Sequence, residues 1–159
     1  MSELAIKTVW EPGPKTDKRL LALHAHWLSI SPEGGIPRRA DFNPAAIPKL
    51  LPWVFLLDVL EDPREFRFRV VGTGFSDAVG RDLTGLTTAE VFPPAFRDEV
   101  LDRWNDIVSK GGPNWGSGSF WIEGREYLNW QGLVLPFRSE NSRIEQLLGG
   151  VVFGIEKLP

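Results

Sequence analysis

The chain has 159 residues, an apolar fraction of 42%, a charged fraction of 25% and a net charge of −3. These values fit one globular domain with a substantial core, and they give no basic field for a nucleic-acid backbone. Cysteine is absent, which excludes disulfides and thiolate chemistry, and no apolar run reaches the roughly 20 residues that span a bilayer.

The first 16 residues contain Pro12, Gly13 and Pro14 and are predicted to form an irregular lead-in to a single domain over residues 17–159. They lack the basic and apolar regions of a secretory signal, so we expect a cytoplasmic protein that does not bind membranes. Asp17 is a good N-cap for a helix over Lys18–Ile30. Four apolar residues recur along this helix at intervals of three and four: Leu20, Leu23, Trp27 and Ile30. This apolar face is predicted to cover part of a sheet, and any surface left over would be an interface for a homodimer or another protein.

Two strand-like runs follow a short helical turn predicted at Pro44–Leu50. The run Trp53–Leu60 is apolar almost without alternation, which is typical of a strand covered on both faces. The run Glu65–Val71 alternates, with Phe66, Phe68 and Val70 on one face and arginines on the other, which suits a sheet edge.

Helices and then three further strands complete the chain. Thr87 and Glu90 form a capping-box pattern, and the stripe of apolar residues in Ala95–Val108 predicts one long amphipathic helix. Strands are predicted at Trp115–Ile122, Glu126–Phe137 and Leu147–Leu158. Because the first and last of the five strands are the most apolar, we predict an α+β fold with an antiparallel sheet in the order 2-1-5-4-3. Helices would cover one face and the N-terminal helix would cap the other.

The order of elements and several motifs resemble the PAS domain, in particular a bacterial subgroup of small stand-alone PAS-type proteins. The resemblance covers roughly Asp17–Leu158 and rests on the segments Pro37–Pro44, Phe55–Val59, Val70–Phe75 and Gly80–Gly85. It implies a sensory or protein-docking module rather than a reaction. Cysteinyl flavin and haem are not expected as cofactors, because the chain has no cysteine and its histidines lie outside the region that carries the haem ligand in that family.

A ligand cavity between the sheet and the long helix is one interpretation of the heavy aromatic content, which is seven Trp and ten Phe against one Tyr. Phe68, Phe75 and Trp104 are the predicted walls. Polar contacts are predicted from Tyr127, Asn129 and Gln131, which share one face of a strand. The alternative is that the rings simply fill the core.

Asp58 suggests a rival function, because it interrupts a strand that should be buried. It would be a general base if it faced an apolar pocket, as in a small cone-shaped α+β enzyme, and a structural residue if it accepted hydrogen bonds at the strand end.

Other polar patterns are weaker indications of a metal or cofactor site. His24 and His26 are two residues apart, so a helix directs them to different faces, whereas helical metal pairs need a spacing of three or four. The glycines of Val71-Gly72-Thr73-Gly74 begin like a dinucleotide fingerprint, but Asp77 occupies the place of its third glycine. The carboxylates of the long helix suit either a cation site or a solvated face.

Together these observations predict a regulatory module without catalytic output, which binds a small apolar ligand, a signalling protein partner or both. Ligand or partner binding would favour one of two packings of helix against sheet. A structural adaptor with a filled core is the third alternative.

Overall fold

The computed structural model describes residues 3–6, 11–122 and 125–154. The strands are β1 Glu3–Ile6, β2 Val54–Leu60, β3 Glu65–Val71, β4 Asn114–Ile122, β5 Arg125–Arg138 and β6 Ile144–Phe153. The α-helices are α1 Lys18–Ser29, α2 Thr73–Val79, α3 Thr88–Val91 and α4 Pro94–Lys110, and short 3-10 turns lie at Arg39–Asp41, Pro44–Ala46 and Leu51–Trp53.

The strands form one antiparallel sheet in the order β1-β4-β5-β6-β2-β3. This confirms the predicted five-strand order, in which the two most apolar runs, β2 and β6, are neighbours. Val54 to Asp58 of β2 pair with Gly150 to Gln146 of β6.

The sixth strand, β1, differs from the prediction of an irregular lead-in. Glu3 to Ile6 pair with Trp121 to Gly118, so β1 lies beside β4 and takes the edge position predicted for that strand. Backbone hydrogen bonds provide this pairing, and four residues carry too little side-chain pattern to reveal it. The predicted end of the last strand, beyond Gly154, falls outside the described residues.

Two apolar clusters cover the two faces of the sheet. On one face, α1 packs through Leu20, Leu23 and Trp27 against alternate residues of β5 such as Leu133 and Leu135. On the other, α2 and α4 pack over the remaining strand residues, among them Phe55, Leu57 and Val134. The predicted arrangement of helices on one face and a cap helix on the other is therefore correct.

A bulge in β3 changes the predicted face of Val70. Leu57 pairs with Phe68 and Leu56 pairs with Val70, so Arg69 is an extra residue in β3. Such a bulge reverses the side-chain alternation beyond it. Phe66 and Phe68 are therefore buried as predicted, whereas Val70 is 52% exposed.

The glycines after β3 allow a close backbone approach. A Cβ on Gly72 would lie 2.3 Å from the carbonyl oxygens of Leu51 and Pro52, and one on Gly74 would lie 2.5 Å from the Trp53 ring. Their place after an antiparallel edge strand excludes the dinucleotide interpretation, which needs a parallel βαβ unit.

Candidate functional site

A cavity of about 220 Å³ lies between the sheet and the helices α2 and α4. All three predicted wall residues, Phe68, Phe75 and Trp104, line it, together with Phe55 and Phe92. Their rings meet at angles, with centroids of Phe68 and Trp104 6.2 Å apart and those of Phe55 and Phe75 5.4 Å apart. The sheet contributes one wall and the helices the opposite wall.

The sheet wall of the cavity contains an opposed pair of glycines. Gly116 of β4 pairs with Gly132 of β5, and both line the cavity. Because neither residue projects a side chain, this part of the wall consists of backbone. The neighbouring positions carry side chains, and a Cβ on Gly132 would lie 3.3 Å from the Trp130 ring.

Arg103 of α4 occupies the space above Gly116. Its Nη2 donates to the Asn114 side-chain oxygen at 2.9 Å and to the Trp115 carbonyl at 3.1 Å. Burial lowers the pKa of the guanidinium, and the nearby charge of Glu99 opposes that effect. A guanidinium does not deprotonate in proteins. The cavity wall therefore carries a positive charge that is partly removed from water.

Trp130 of β5 supplies a second polar group. It lines the cavity, and its Nε1 is buried with no hydrogen-bond partner among the described residues. An indole nitrogen can only donate. Buried donors normally have a partner, so a donor without one among the described residues is unusual.

The predicted polar contacts lie on the wrong face of β5. The side chain of Gln131 accepts from the Asp17 backbone N–H at 2.8 Å and donates to the Lys15 carbonyl at 2.9 Å, beside the start of α1. Asn129 is two residues before Gln131 in β5, so strand alternation places it on that same face. The backbone of Tyr127 pairs with Trp121, and its side chain is outside the described residues. Residues 130, 132 and 134 form the cavity side instead.

The four predicted interface residues of the N-terminal helix are used within the domain. Leu20, Leu23 and Trp27 are buried against the sheet, and Ile30 packs beside them. The Trp27 indole N–H donates to the Pro136 carbonyl at 2.9 Å. None of the three buried side chains is accessible to a second molecule, which corrects that prediction. The outward side of α1 carries Leu21 and Leu28, which are 39% and 52% exposed.

Asp58 does not face the cavity. It lies toward the end of β2, where it accepts from the Gln146 amide at 2.9 Å and from Arg69 at 3.4 Å. This is the strand-end arrangement that the structural interpretation predicts, and it removes the basis for a general base in the apolar pocket.

His24 and Asp106 make contacts within the domain. His24 stacks on Trp27 and meets the edge of Trp115, and burial lowers its pKa. Asp106 of α4 forms an exposed ion pair with Lys110 at 3.1 Å. Within the described part of the chain, no three His, Asp or Glu residues are grouped as metal ligands would be.

Sequence reasoning missed Arg103 and Trp130. The signal for Arg103 was present, because it follows Val100 by three residues and precedes Ile107 by four, and therefore lies on the apolar side of α4. For Trp130, the choice of face on a strand that is apolar on both sides could not be made from alternation alone.

Solved structures of other proteins are similar to this chain. The structure is similar to a light-oxygen-voltage domain studied with a flavin analogue, at a TM-score of 0.54 and 12% identity over 70% of this chain and 84% of that chain. Two further similar structures are the light state of the blue-light photoreceptor Aureochrome1 LOV and a sensory box sensor histidine kinase from Vibrio cholerae. For the Aureochrome1 domain, the TM-score is 0.49 and identity 13%, over 72% of this chain and 87% of that chain. For the kinase structure, the TM-score is 0.48 and identity 18%, over 71% of this chain and 90% of that chain.

A search of curated protein sequences found no match. In the described segments, every helix is too short or too polar to cross a membrane. The sequence profile of the PAS domain matches residues 16–152, which include every residue lining the cavity except Phe153. The chain therefore belongs to the PAS domain family.

Proposed function

We propose that this chain is a sensory and regulatory module that binds a small, mainly apolar ligand in the cavity and signals to a protein partner. The observation that carries the proposal is the cavity itself. Aromatic rings line about 220 Å³ of space whose sheet wall includes the glycine pair Gly116 and Gly132. The empty space argues against a filled adaptor core. Because its volume is somewhat below the roughly 300–1,000 Å³ of typical ligand pockets, the ligand should be small.

Contacts from the cavity to α1 support a signalling role. Helix α2 contributes Phe75 and Val79 to the cavity. The Trp53 ring packs against Gly74, the second residue of the same helix. The guanidinium of Arg19 lies over the same Trp53 ring, 4.6 Å from its centroid.

The contacts continue to the start of α1. Arg19 forms an ion pair with Asp17, the N-cap of α1, at 2.9 Å. Gln131, the neighbour of Trp130 in β5, bonds to the Asp17 backbone on the other face of the sheet. A ligand that shifts α2 or Trp130 would therefore favour one of two packings of α1, which is how a ligand changes a conformational population.

The partner is a signalling protein that senses this change at α1. Helices cover both faces of the central strands β5, β6 and β2, so these strands offer no bare face for docking. The proposal assigns no catalytic step, because Asp58, the candidate base of the rival enzyme, lies outside the cavity.

Filling the cavity tests the proposal. Val151 is buried and lines the cavity, so Val151→Phe should occupy ligand space at a stability cost below about 3 kcal/mol. The matched control is Val70→Phe on the exposed face of β3. Octanamide serves as a neutral apolar probe, titrated by calorimetry, and native mass spectrometry compares purified protein with its denatured mass.

We expect wild-type protein and Val70→Phe to bind octanamide alike and Val151→Phe to bind it at least about tenfold more weakly, since the new ring takes the place of the probe. A small molecule retained in the native mass should also be lost in Val151→Phe. Equal binding by all three proteins, or no binding with a bare native mass, would contradict the cavity as a ligand site.

A further inference from the structure

An open groove of about 640 Å³ lies at the end of the sheet where β2 and β5 finish and β6 begins. Its described lining residues include none from α1 and none from the apolar cavity. Six arginines line it, and we call it the arginine groove: Arg38, Arg39, Arg67, Arg69, Arg138 and Arg143. The described carboxylates in the lining are fewer: Asp58, Glu61, Glu140 and Glu145. The arginine groove is therefore locally positive in a chain whose net charge is −3.

Two of these carboxylates are already balanced by arginines of the domain. Asp58 pairs with Arg69 at 3.4 Å. Glu140 lies 3.6 Å from Arg38, which also pairs with Asp41 at 3.1 Å. The negative charges that face these two arginines therefore come from the protein itself.

The other four arginines of the groove have no ion pair among the described residues: Arg39, Arg67, Arg138 and Arg143. Arg138 is positioned by a neutral acceptor, since its Nε donates to the Ile36 carbonyl at 2.8 Å. Arg67 and Arg143 are exposed, and within the described part of the chain their side chains make no hydrogen bond. The arginine groove thus offers guanidinium groups to the acceptors of another molecule.

Phe42 connects the arginine groove to α1. The centroid of its ring lies 5.9 Å from that of His26 on α1 and 5.3 Å from that of Phe137, which lines the groove. The guanidinium of Arg39 lies over the same ring, 5.5 Å from its centroid. A change in the packing of α1 would therefore reach the arginine groove.

We propose that the arginine groove binds an acidic peptide segment of the signalling partner, whose carboxylates meet the four arginines that have no ion pair. This assignment rests on the proposed function, in which a partner protein senses α1. A guanidinium binds a carboxylate through two parallel hydrogen bonds, which gives direction as well as attraction. The half-buried side chains of Val59, Leu60 and Ile144 also line the groove and provide apolar surface for the peptide.

The carboxylates of the groove favour a peptide over a phosphate ligand. A phosphate monoester concentrates about −1.5 to −2 charges at one point, where nearby carboxylates repel it. Acidic side chains carry one charge each and can be spaced along a peptide. Such spacing suits arginines that come from the turn at Arg39–Asp41, from β3 and from the end of β5. The net charge of −3 further disfavours a nucleic-acid backbone.

The experiment measures binding of rhodamine-labelled peptides to the full chain by fluorescence anisotropy at constant, low ionic strength. The peptides have equal length and consist of Glu-Ala, Gln-Ala or Lys-Ala repeats. The variants are Arg67→Gln, Arg143→Gln, both together, and the double charge reversal Arg67→Glu with Arg143→Glu. Both side chains are exposed, so the variants should remain folded. Lys110→Gln is the matched control, since it removes one exposed positive charge from α4, outside the groove.

We expect wild type and Lys110→Gln to bind the Glu-Ala peptide at least about tenfold more tightly than the Gln-Ala peptide, because guanidinium–carboxylate bonds are charge-assisted. Each single variant should weaken Glu-Ala binding about threefold and the double variant about tenfold, since one exposed ion pair contributes little. The double charge reversal should prefer the Lys-Ala peptide. Saturating octanamide should change the Glu-Ala affinity of wild type, because both sites would bias the packing of α1.

Equal affinity of wild type for the Glu-Ala and Gln-Ala peptides, or no binding of either, would overturn the acidic partner. A Glu-Ala preference that survives in the double variant would remove the arginine groove from the docking site. Displacement of the labelled Glu-Ala peptide by less tripolyphosphate than unlabelled peptide would overturn the peptide and indicate a phosphate ligand. An affinity that octanamide leaves unchanged would contradict the connection through Phe42.

The same measurements separate this proposal from the proposed function. Octanamide binding without peptide binding would contradict the acidic partner and leave the ligand site in the cavity standing. Peptide binding without octanamide binding would contradict the ligand site and leave the docking site standing.

Discussion

Gly149 and Gly150 are adjacent in β6 and face opposite sides of the sheet. A Cβ on Gly149 would lie 2.0 Å from the Phe55 ring, which forms part of the cavity wall. A Cβ on Gly150 would lie 2.7 Å from the tip of Leu23 and 3.1 Å from that of Leu20, both on α1. A rigid ring packed on the backbone has less room to move than the flexible ends of two leucines.

Gly149→Ala should therefore destabilise the domain by about 1–3 kcal/mol, the usual cost of overpacking, and Gly150→Ala by clearly less. Urea unfolding of the two variants and wild type gives both values. An equal loss in both, or a greater loss for Gly150→Ala, would show that Phe55 can leave its place on Gly149 easily.

Single residues also show the limits of prediction from sequence. The heavy aromatic content predicts Phe68, Phe75 and Trp104 as walls of a cavity, and all three line the space between the sheet and α4. Gln131 was placed on the wrong face because β5 is buried on both sides over much of its length, so its pattern does not reveal which side meets α4.

Helix α1 is an element whose start depends on one side chain. Asp17 accepts from the Arg19 backbone N–H and from the Arg19 guanidinium, each at 2.9 Å. The hydrogen bond from the Arg19 side chain lowers the pKa of Asp17 below its ordinary value of 3.8. The cap was predicted from sequence, but the interaction of Arg19 with Trp53 depends on tertiary structure.

A carboxyl with a lowered pKa in the folded state stabilises folding above its unfolded pKa, and that contribution is lost as pH falls through the folded value. Asp17→Ala should cost about 1 kcal/mol at pH 7 through loss of the cap. Asp17→Asn retains an acceptor and loses the charge, so its deficit relative to wild type should shrink as pH falls below about 4.

Unfolding free energies of wild type and both variants between pH 2 and pH 7 check this prediction. A deficit of Asp17→Asn that stays constant over the whole range would contradict the coupling of Asp17 ionisation to folding.

At the scale of the whole molecule, the strand order was predictable because β2 and β6 lack alternation and must therefore be central. Covering both faces of such strands requires two sets of helices, which α1 on one side and α2 with α4 on the other provide. The cavity could not be derived in the same way, because its volume depends on where the rings stop and on how Arg103 and Trp130 pack beside the glycine pair.

The indole N–H signals report on the two faces separately. Trp130 lines the cavity and its N–H has no acceptor among the described residues, whereas the Trp27 N–H donates to Pro136 on the face covered by α1. Both signals can be followed in one sample, so Trp27 serves as an internal control within the same molecule.

The most direct test is therefore an NMR titration of ¹⁵N-labelled protein with octanamide, with the indole signals assigned through Trp130→Phe and Trp27→Phe. We predict that the Trp130 N–H signal shifts with saturation and that the Trp27 N–H signal moves far less. A Trp130 signal that stays in place at saturating probe, or an equal shift of both signals, would contradict a ligand site between the sheet and α4.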